Sequence, residues 1–221
     1  MTVITVSRQL GSGGDEIATQ VCERLGYQFF NKEMMIEAAS DVGLRAEEVV
    51  DFSEDRYDVQ NFLERLLRSR ARQVKQVLVR DDDHKVIDTL NARTLNEAQC
   101  VDLVRYTVLT AYETGNFVIV GRGGQAILRD KPNTLHVRVV APLEQRIQHI
   151  RTGGMSGISE IKLAIERHDR AAAEYLDRFF GITWDDPANY HLVINGNMMP
   201  VRAAVEVIVA AAEAIQATAS V

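Results

Sequence analysis

A glycine-rich turn near the amino terminus has the residue types and spacing of a phosphate-binding loop. Residues 3–6 predict a short buried strand, residues 7–14 (SRQLGSGG) follow it, and an amphipathic helix is predicted to begin near Asp15. This order of strand, glycine turn and helix directs backbone N–H groups and the positive end of a helix toward a phosphate. The sequence therefore predicts that a nucleotide phosphate binds at the following residues: Gly11, Ser12, Gly13, Gly14, Asp15 and Glu16.

The loop lacks the lysine of the usual pattern. The usual signature ends in Gly-Lys-Ser/Thr, whereas here Gly14 stands in place of the lysine and two carboxylates follow. Arg8, inside the predicted loop, is the nearest replacement, and Lys32 follows the second predicted strand toward the edge of the sheet where ligands bind. Two interpretations of the carboxylates stay open. Asp15 and Glu16 stabilise the first helical turn, or Glu16 binds Mg²⁺ directly or through water.

Three further arginines could neutralise charge during phosphoryl transfer, a reaction that needs positioned cations more than covalent chemistry. Arg122 lies in a Gly-Arg-Gly-Gly turn directly after a predicted buried strand. Arg167 and Arg170 are three residues apart on a predicted helix, so they share a face and could clamp phosphates from a mobile segment. The candidate catalytic residues are thus Arg8, Arg122, Arg167 and Arg170. For Arg122, Arg167 and Arg170 a solvated surface charge is the alternative.

Alternating strands and helices must position these residues. Further strands are predicted at 27–30, 117–120, 135–140 and 192–194. Helices are predicted from about 15, 34, 143 and 159 and over 201–216, and a long, mostly helical stretch spans 44–113. Continuous apolar strands separated by helices predict an α/β fold whose parallel sheet is covered on both faces.

Blocks spread over nearly the whole chain resemble the cytidylate kinase-like family, a branch of the P-loop nucleoside monophosphate kinases. The blocks lie at 7–18, 121–125, 136–144, 167–170, 175–181 and 184–187. The resemblance implies a five-stranded parallel core (1–40, 94–150 and 183–216), a helical monophosphate-site insertion (about 41–93) and a lid (about 151–182). It also implies transfer of a phosphoryl group from ATP, with Mg²⁺, to a pyrimidine monophosphate such as CMP.

The resemblance also assigns roles to individual residues. Arg122 matches the arginine that holds a phosphate in the family's monophosphate site, and Arg167, Asp169 and Arg170 match the lid motif. Substrate binding is expected at Lys32, Arg122 and Asp169. The chain departs from the family at Val120, where cytidylate kinases carry an acidic residue. Two functions therefore stay open: a kinase with a lysine-independent loop, or a nucleotide-binding regulatory protein with little turnover.

Composition narrows the class of protein. The chain has 221 residues, of which 46% are hydrophobic and 25% charged, and its net charge of -6 argues against a general nucleic-acid binder. No apolar stretch is long enough to span a bilayer and no secretory signal is present, so we expect a cytoplasmic protein without a membrane partner.

Cys22 and Cys100 lie in helical contexts, where we expect them to be small core residues. The basic segment 63–80 favours packing within the insertion or a subunit interface, and we expect a homo-oligomer.

Overall fold

Five parallel strands form one sheet at the centre of the computed structural model, which describes residues 1–30, 97–154 and 157–218. The sheet order is β2-β3-β1-β4-β5. The strands are β1 (Val3–Arg8), β2 (Gln28–Phe30), β3 (Phe117–Val120), β4 (Thr134–Val140) and β5 (Leu192–Asn195). Because β1 is central, the loop that follows it is flanked by the carboxyl ends of β3 and β4.

Helices connect these strands, as parallel pairing requires. They are α1 (Gly14–Leu25), α2 (Glu97–Thr114), α3 (Gly124–Ile127), α4 (Leu143–Thr152), α5 (Ile158–Phe180) and α6 (Val201–Thr218). A short 3-10 helix at Pro187–Asn189 precedes β5.

The two faces of the sheet differ in chemistry. On one face, α1 and α6 pack on an apolar layer that includes Ile4, Val6, Val137 and Val139. On the other face, β1 and β4 contribute buried polar side chains: Thr5, Ser7, Thr134, His136 and Arg138. Burial of polar groups is costly unless they are hydrogen-bonded. This second face therefore requires partners from the segments that cover it.

The predicted order of elements is confirmed over the described residues, with shifts at the boundaries. β1 extends two residues beyond its predicted end, so Arg8 is the last strand residue and not a loop residue. The two short helices at Gly124–Ile127 and Pro187–Asn189 were not predicted, because four and three residues are too few to show helical periodicity. The insertion, Lys32 and the basic segment 63–80 lie outside the described residues.

No helix in the described part of the chain is long and apolar enough to cross a membrane. Cys22 is a buried helical residue, as expected, and its thiol donates a hydrogen bond to the Tyr27 carbonyl. Burial raises the pKa of this thiol, and the neighbouring Glu23 raises it further. Cys100 lies within α2.

Candidate active site

The loop between β1 and α1 turns back on itself and leads into a helix whose first N–H groups have no side-chain cap among the described residues. Ser12 donates its N–H to the Gln9 carbonyl, and Gly13 is held at a φ of 83°, which a residue with a side chain rarely adopts. The first helical hydrogen bond runs from the Ile17 N–H to the Gly13 carbonyl. Among the described residues, no side chain caps the start of α1. The helix therefore presents unsatisfied donors and the positive end of its dipole at this loop.

A buried hydroxyl adds to these open groups. Ser12 is 4% exposed, and its Oγ has no hydrogen-bond partner within the described part of the chain. A buried polar atom without a partner costs roughly 1–3 kcal/mol. The loop thus combines open N–H groups with an unpaired hydroxyl, which is the arrangement that an anion would satisfy.

The side chain of Arg8 fills the space that a side chain at position 14 would need. A Cβ on Gly14 would overlap the Cβ of Arg8 and would lie 2.9 Å from its Cγ. Arg8 stands five residues before Gly13, where the usual phosphate-loop pattern has its first glycine. The chain therefore differs from the pattern at two positions: Arg8 replaces the first glycine, and Gly14 replaces the lysine.

An ion pair holds Arg8 beside the loop. Its Nε donates to Oδ1 of Asp15 at 2.9 Å, and its side chain is only 11% exposed. Asp15 itself is exposed in the first turn of α1, next to Glu16, which accepts a hydrogen bond from Gln20 at 3.2 Å. The positive charge predicted for the loop is consequently present, at the end of β1 instead of the start of α1.

Arg146 of α4 joins the phosphate loop to the predicted lid. Its Nε donates to the Leu10 carbonyl at 2.7 Å, and its Nη2 lies 2.8 Å and 2.7 Å from the two carboxylate oxygens of Asp169. Burial would raise the pKa of Asp169, but hydrogen bonds and positive charge from His168 and Arg146 outweigh it and keep that pKa below its ordinary value. The candidate substrate residue Asp169 is thus engaged with α4. Arg167 and Arg170 are exposed on the same helix, α5.

A second buried arginine, Arg138, lies beneath the loop, and its role was not predicted from the sequence. Arg138 stacks on the Trp184 ring at 4.1 Å and forms an ion pair with Asp185. The Trp184 indole N–H donates to Oγ of Ser7 at 2.8 Å, one residue before Arg8. Trp184 is 3% exposed. The signal in the sequence is an arginine between two valines of a predicted buried strand.

The Gly-Arg-Gly-Gly turn follows β3 at the same edge of the sheet. The Gly121 N–H donates to the Val6 carbonyl at 3.0 Å, which ties the turn to β1. Arg122 is half-buried with a φ of 62°, a left-handed conformation that costs a residue with a side chain on the order of 1–3 kcal/mol. Gln125 is 2% exposed, and neither polar atom of its amide has a partner among the described residues. Strain and an unsatisfied amide are typical of a ligand site.

The carboxylates at the start of α1 offer few ligands to a metal ion. In the described ranges, no three residues of the types that bind metals form a group. Asp15 and Glu16 are exposed, and Mg²⁺ in phosphoryl-transfer sites is held mainly by phosphate oxygens and water with one or two carboxylates. The exposed Glu16 carboxylate is one oxygen donor of that kind.

Comparison with known proteins identifies a family over most of the chain. A model of the cytidylate kinase-like family matches residues 3–197. An uncharacterised protein from Eubacterium ventriosum has a similar structure, with a TM-score of 0.63 and 17% identity over 96% of this chain and 99% of the other. A gluconokinase from Sinorhizobium meliloti gives a TM-score of 0.49 at 11% identity, over 98% of this chain and 97% of the other. A shikimate kinase from Bacteroides thetaiotaomicron gives 0.47 at 14%, over 100% and 99%. No sequence among the curated proteins matches this chain.

The ion pair between Arg146 and Asp169 predicts a pH-dependent stability. Asp169→Asn should lower the free energy of unfolding by about 1–3 kcal/mol at neutral pH, the size of a charged hydrogen bond. Because the folded-state pKa is depressed, this contribution is present above the unfolded pKa of about 3.9 and is lost as the pH falls through the folded value. Urea unfolding at several pH values measures it. The difference from wild type should shrink in acid, whereas the exposed control Asp177→Asn should show little change. A difference independent of pH would contradict the assignment.

Proposed function

The chain belongs to the cytidylate kinase-like family and has a P-loop kinase fold, and we propose that it transfers the γ-phosphoryl group of ATP to a nucleoside monophosphate such as CMP or to a similar small acceptor. The observation that carries the proposal is the open loop at α1 with the side chain of Arg8 packed against Gly14. Arg8 supplies the positive charge that the lysine supplies in the usual loop.

The N–H groups at the start of α1 bind the phosphates of ATP. Backbone donors are fixed before the substrate arrives, so they need no reorganisation as charge develops on the phosphoryl oxygens. Arg8 approaches the same oxygens from the end of β1. A guanidinium remains charged at all physiological pH values and offers a planar fork that suits phosphate oxygens. Asp15 keeps this fork beside the loop when no nucleotide is present.

The acceptor binds at the turn after β3. Arg122 holds its phosphate, and the amide of Gln125 hydrogen-bonds a polar group of the acceptor. The hydrogen bond between Gly121 and Val6 fixes this turn to β1, which leads directly into the phosphate loop. A fixed spacing between donor and acceptor sites is what a direct transfer requires.

Arg167 and Arg170 complete the site from α5. Asp169, which lies between them, is bonded to Arg146, and Arg146 is bonded to the Leu10 carbonyl of the loop. Movement of α5 is thereby linked to the loop that holds the phosphates. We assign to Asp169 the role of positioning the two arginines of the lid.

ATP would reach this site with Mg²⁺. Glu16 and the Ser12 hydroxyl would hold the ion or its water ligands, and the ion would neutralise charge on the phosphate oxygens. A free triphosphate facing Asp15 and Glu16 would be repelled, so a cation between them is electrostatically favourable.

A regulatory nucleotide-binding protein is the second candidate. The observation that favours it is the pairing of Arg8 with Asp15, which uses part of the charge available to ATP. Incubation of the protein with labelled ATP, Mg²⁺ and a panel of monophosphates distinguishes the two functions. Transfer of label to CMP or a related acceptor supports the kinase. ATP binding without transfer to any acceptor supports the regulatory protein.

The exchange of Arg8 and Gly14 gives the first functional prediction. Arg8→Met should weaken ATP binding about 10- to 100-fold, because a charge-assisted hydrogen bond contributes roughly 1.5–3 kcal/mol. Arg24→Met, an exposed arginine at the far end of α1, is the matched control and should bind ATP as wild type does. Calorimetric titration with ATP and Mg²⁺ measures both. Equal affinities in the two variants would show that Arg8 does not replace the lysine.

The steric contact between Arg8 and position 14 is tested separately. Gly14→Ala should lower the free energy of unfolding by about 1–3 kcal/mol, because the new methyl group overlaps Arg8. Combining it with Arg8→Gly removes the overlap, so a double-mutant cycle should show a favourable coupling energy. Additive effects in the cycle would refute the packing of Arg8 on position 14.

The role of Glu16 separates metal binding from helix stabilisation. Glu16→Gln should raise the Mg²⁺ concentration needed for half-maximal turnover while changing the free energy of unfolding by only about 0.3–1 kcal/mol. Glu23→Gln, further along α1, is the control. If Glu16 only stabilises the first turn, the Mg²⁺ dependence will be unchanged and the melting temperature alone will fall.

The acceptor site is tested at Arg122. Arg122→Lys should lower the affinity for the acceptor monophosphate by about 1–3 kcal/mol with the fold intact, because lysine cannot reproduce a two-pronged contact to phosphate. Calorimetric titration of wild type and variant with CMP and other monophosphates gives the result. Unchanged affinity, or no monophosphate binding by the wild type, would end this assignment.

A further inference from the structure

A polar cavity lies beside the first half of β4 and the segment that precedes β5. Its volume is about 430 Å³, within the range of small-molecule sites. The residues that line it come from the segment after α3, from β4 and from the segment before β5: Arg129, His136, Ala188, Asn189, Tyr190 and His191. His136 pairs with Thr5 of β1, which lies three residues before Arg8 or about 10 Å along a strand.

A buried histidine lines this cavity, and one of its ring nitrogens has no hydrogen-bond partner within the described part of the chain. His136 is 4% exposed, and its Nδ1 lies 2.8 Å from the Thr5 hydroxyl. Its Nε2 is buried and has no hydrogen-bond partner within the described part of the chain. We assign the ring proton to Nε2, because the Thr5 hydroxyl then donates to Nδ1. A buried N–H donor without an acceptor is unfavourable, and a ligand in the cavity could supply the acceptor.

The charges around the cavity favour an anion. Arg129 lies at its edge and donates to Oδ1 of Asn189 at 2.9 Å. The His191 ring centroid is 5.0 Å from that of His136, and its Nδ1 accepts the backbone N–H of His136. No carboxylate is among the described residues that line the cavity. The Arg129 guanidinium, without a carboxylate among these lining residues to neutralise it, attracts anions and repels cations.

The pKa of His136 reflects first its burial and then the groups around it. Burial lowers the pKa of His136 to about 4, with a further lowering from His191 and Arg129 that outweighs the opposing effect of the Leu128 backbone. A bound anion would remove much of this penalty, because an opposite charge nearby favours the protonated ring.

We propose that this cavity is a second binding site, separate from the phosphate loop, for a small anion with phosphate or carboxylate oxygens. Arg129 and the Nε2 of His136 donate to the oxygens of the anion, and His191 contributes at the rim. Tyr190 forms one wall, and its hydroxyl donates to the Trp184 carbonyl at 2.8 Å. Trp184 in turn contacts Ser7 beside the phosphate loop. The site therefore touches the polar layer that lies under the loop.

Titration of the protein with inorganic phosphate, and separately with acetate, tests the proposal. The readout is the imidazole signal of His136 by NMR, assigned with His136→Gln, because phosphate also binds at the loop. We expect the anion to shift this signal and to raise the pKa of His136. Arg129→Met should weaken the response about tenfold or more, the loss of a charge-assisted hydrogen bond. A response to phosphate alone or to acetate alone identifies which oxygen chemistry the site takes.

Two controls make the outcome specific. Arg202→Met removes an exposed arginine from α6 and should leave the response unchanged. Arg8→Met weakens the phosphate loop and should also leave it unchanged, so that failure of the kinase proposal does not affect this result. A His136 signal that responds to neither anion would overturn the second site. Equal responses in Arg129→Met and Arg202→Met would overturn it as well.

Discussion

One steric constraint organises the phosphate loop: the side chain of Arg8 and a side chain at position 14 cannot occupy the same space. A lysine at 14 would require a small residue at 8, as in the usual pattern, whereas Arg8 requires glycine at 14. Gly14, at the usual lysine position, therefore leaves the space that lets Arg8 place a positive charge beside the loop. The family fold is retained, and the cation reaches the loop from the strand instead of the helix.

Buried arginines connect this loop to the rest of the molecule. Arg146 bonds the Leu10 carbonyl on one side and Asp169 of α5 on the other, and both of its partners are needed to compensate its burial. Arg138 lies under β1 and orders Trp184 and Asp185. Unsatisfied N–H groups are unfavourable in a folded protein, and the contacts of Arg146 and Arg138 help to hold the loop in place.

The sequence predicts the elements well and the contacts less well. Apolar runs such as Phe117–Val120 specify a buried strand by themselves, so the strands and their parallel sheet follow from local patterns. The order of the strands in the sheet was not predicted. The role of Arg8 could be found by counting back five residues from Gly13, but its packing against Gly14 depends on the twist of the strand. The partners of Arg146 lie 136 and 23 residues away in the sequence, and no local pattern specifies such contacts. The burial of Gln125 also depends on the tertiary structure, so no local pattern predicts it.

The central claim is that the start of α1 binds nucleotide phosphates without a lysine. The most direct measurement is a titration of ¹⁵N-labelled protein with ATP and Mg²⁺, followed through the backbone amide signals of Gly13, Gly14 and Asp15. Bound phosphates accept hydrogen bonds from these groups, so the account predicts large, saturable shifts of these signals at the same ATP concentrations that produce calorimetric binding. ATP binding that leaves these three signals unmoved, or no ATP binding at all, would contradict it.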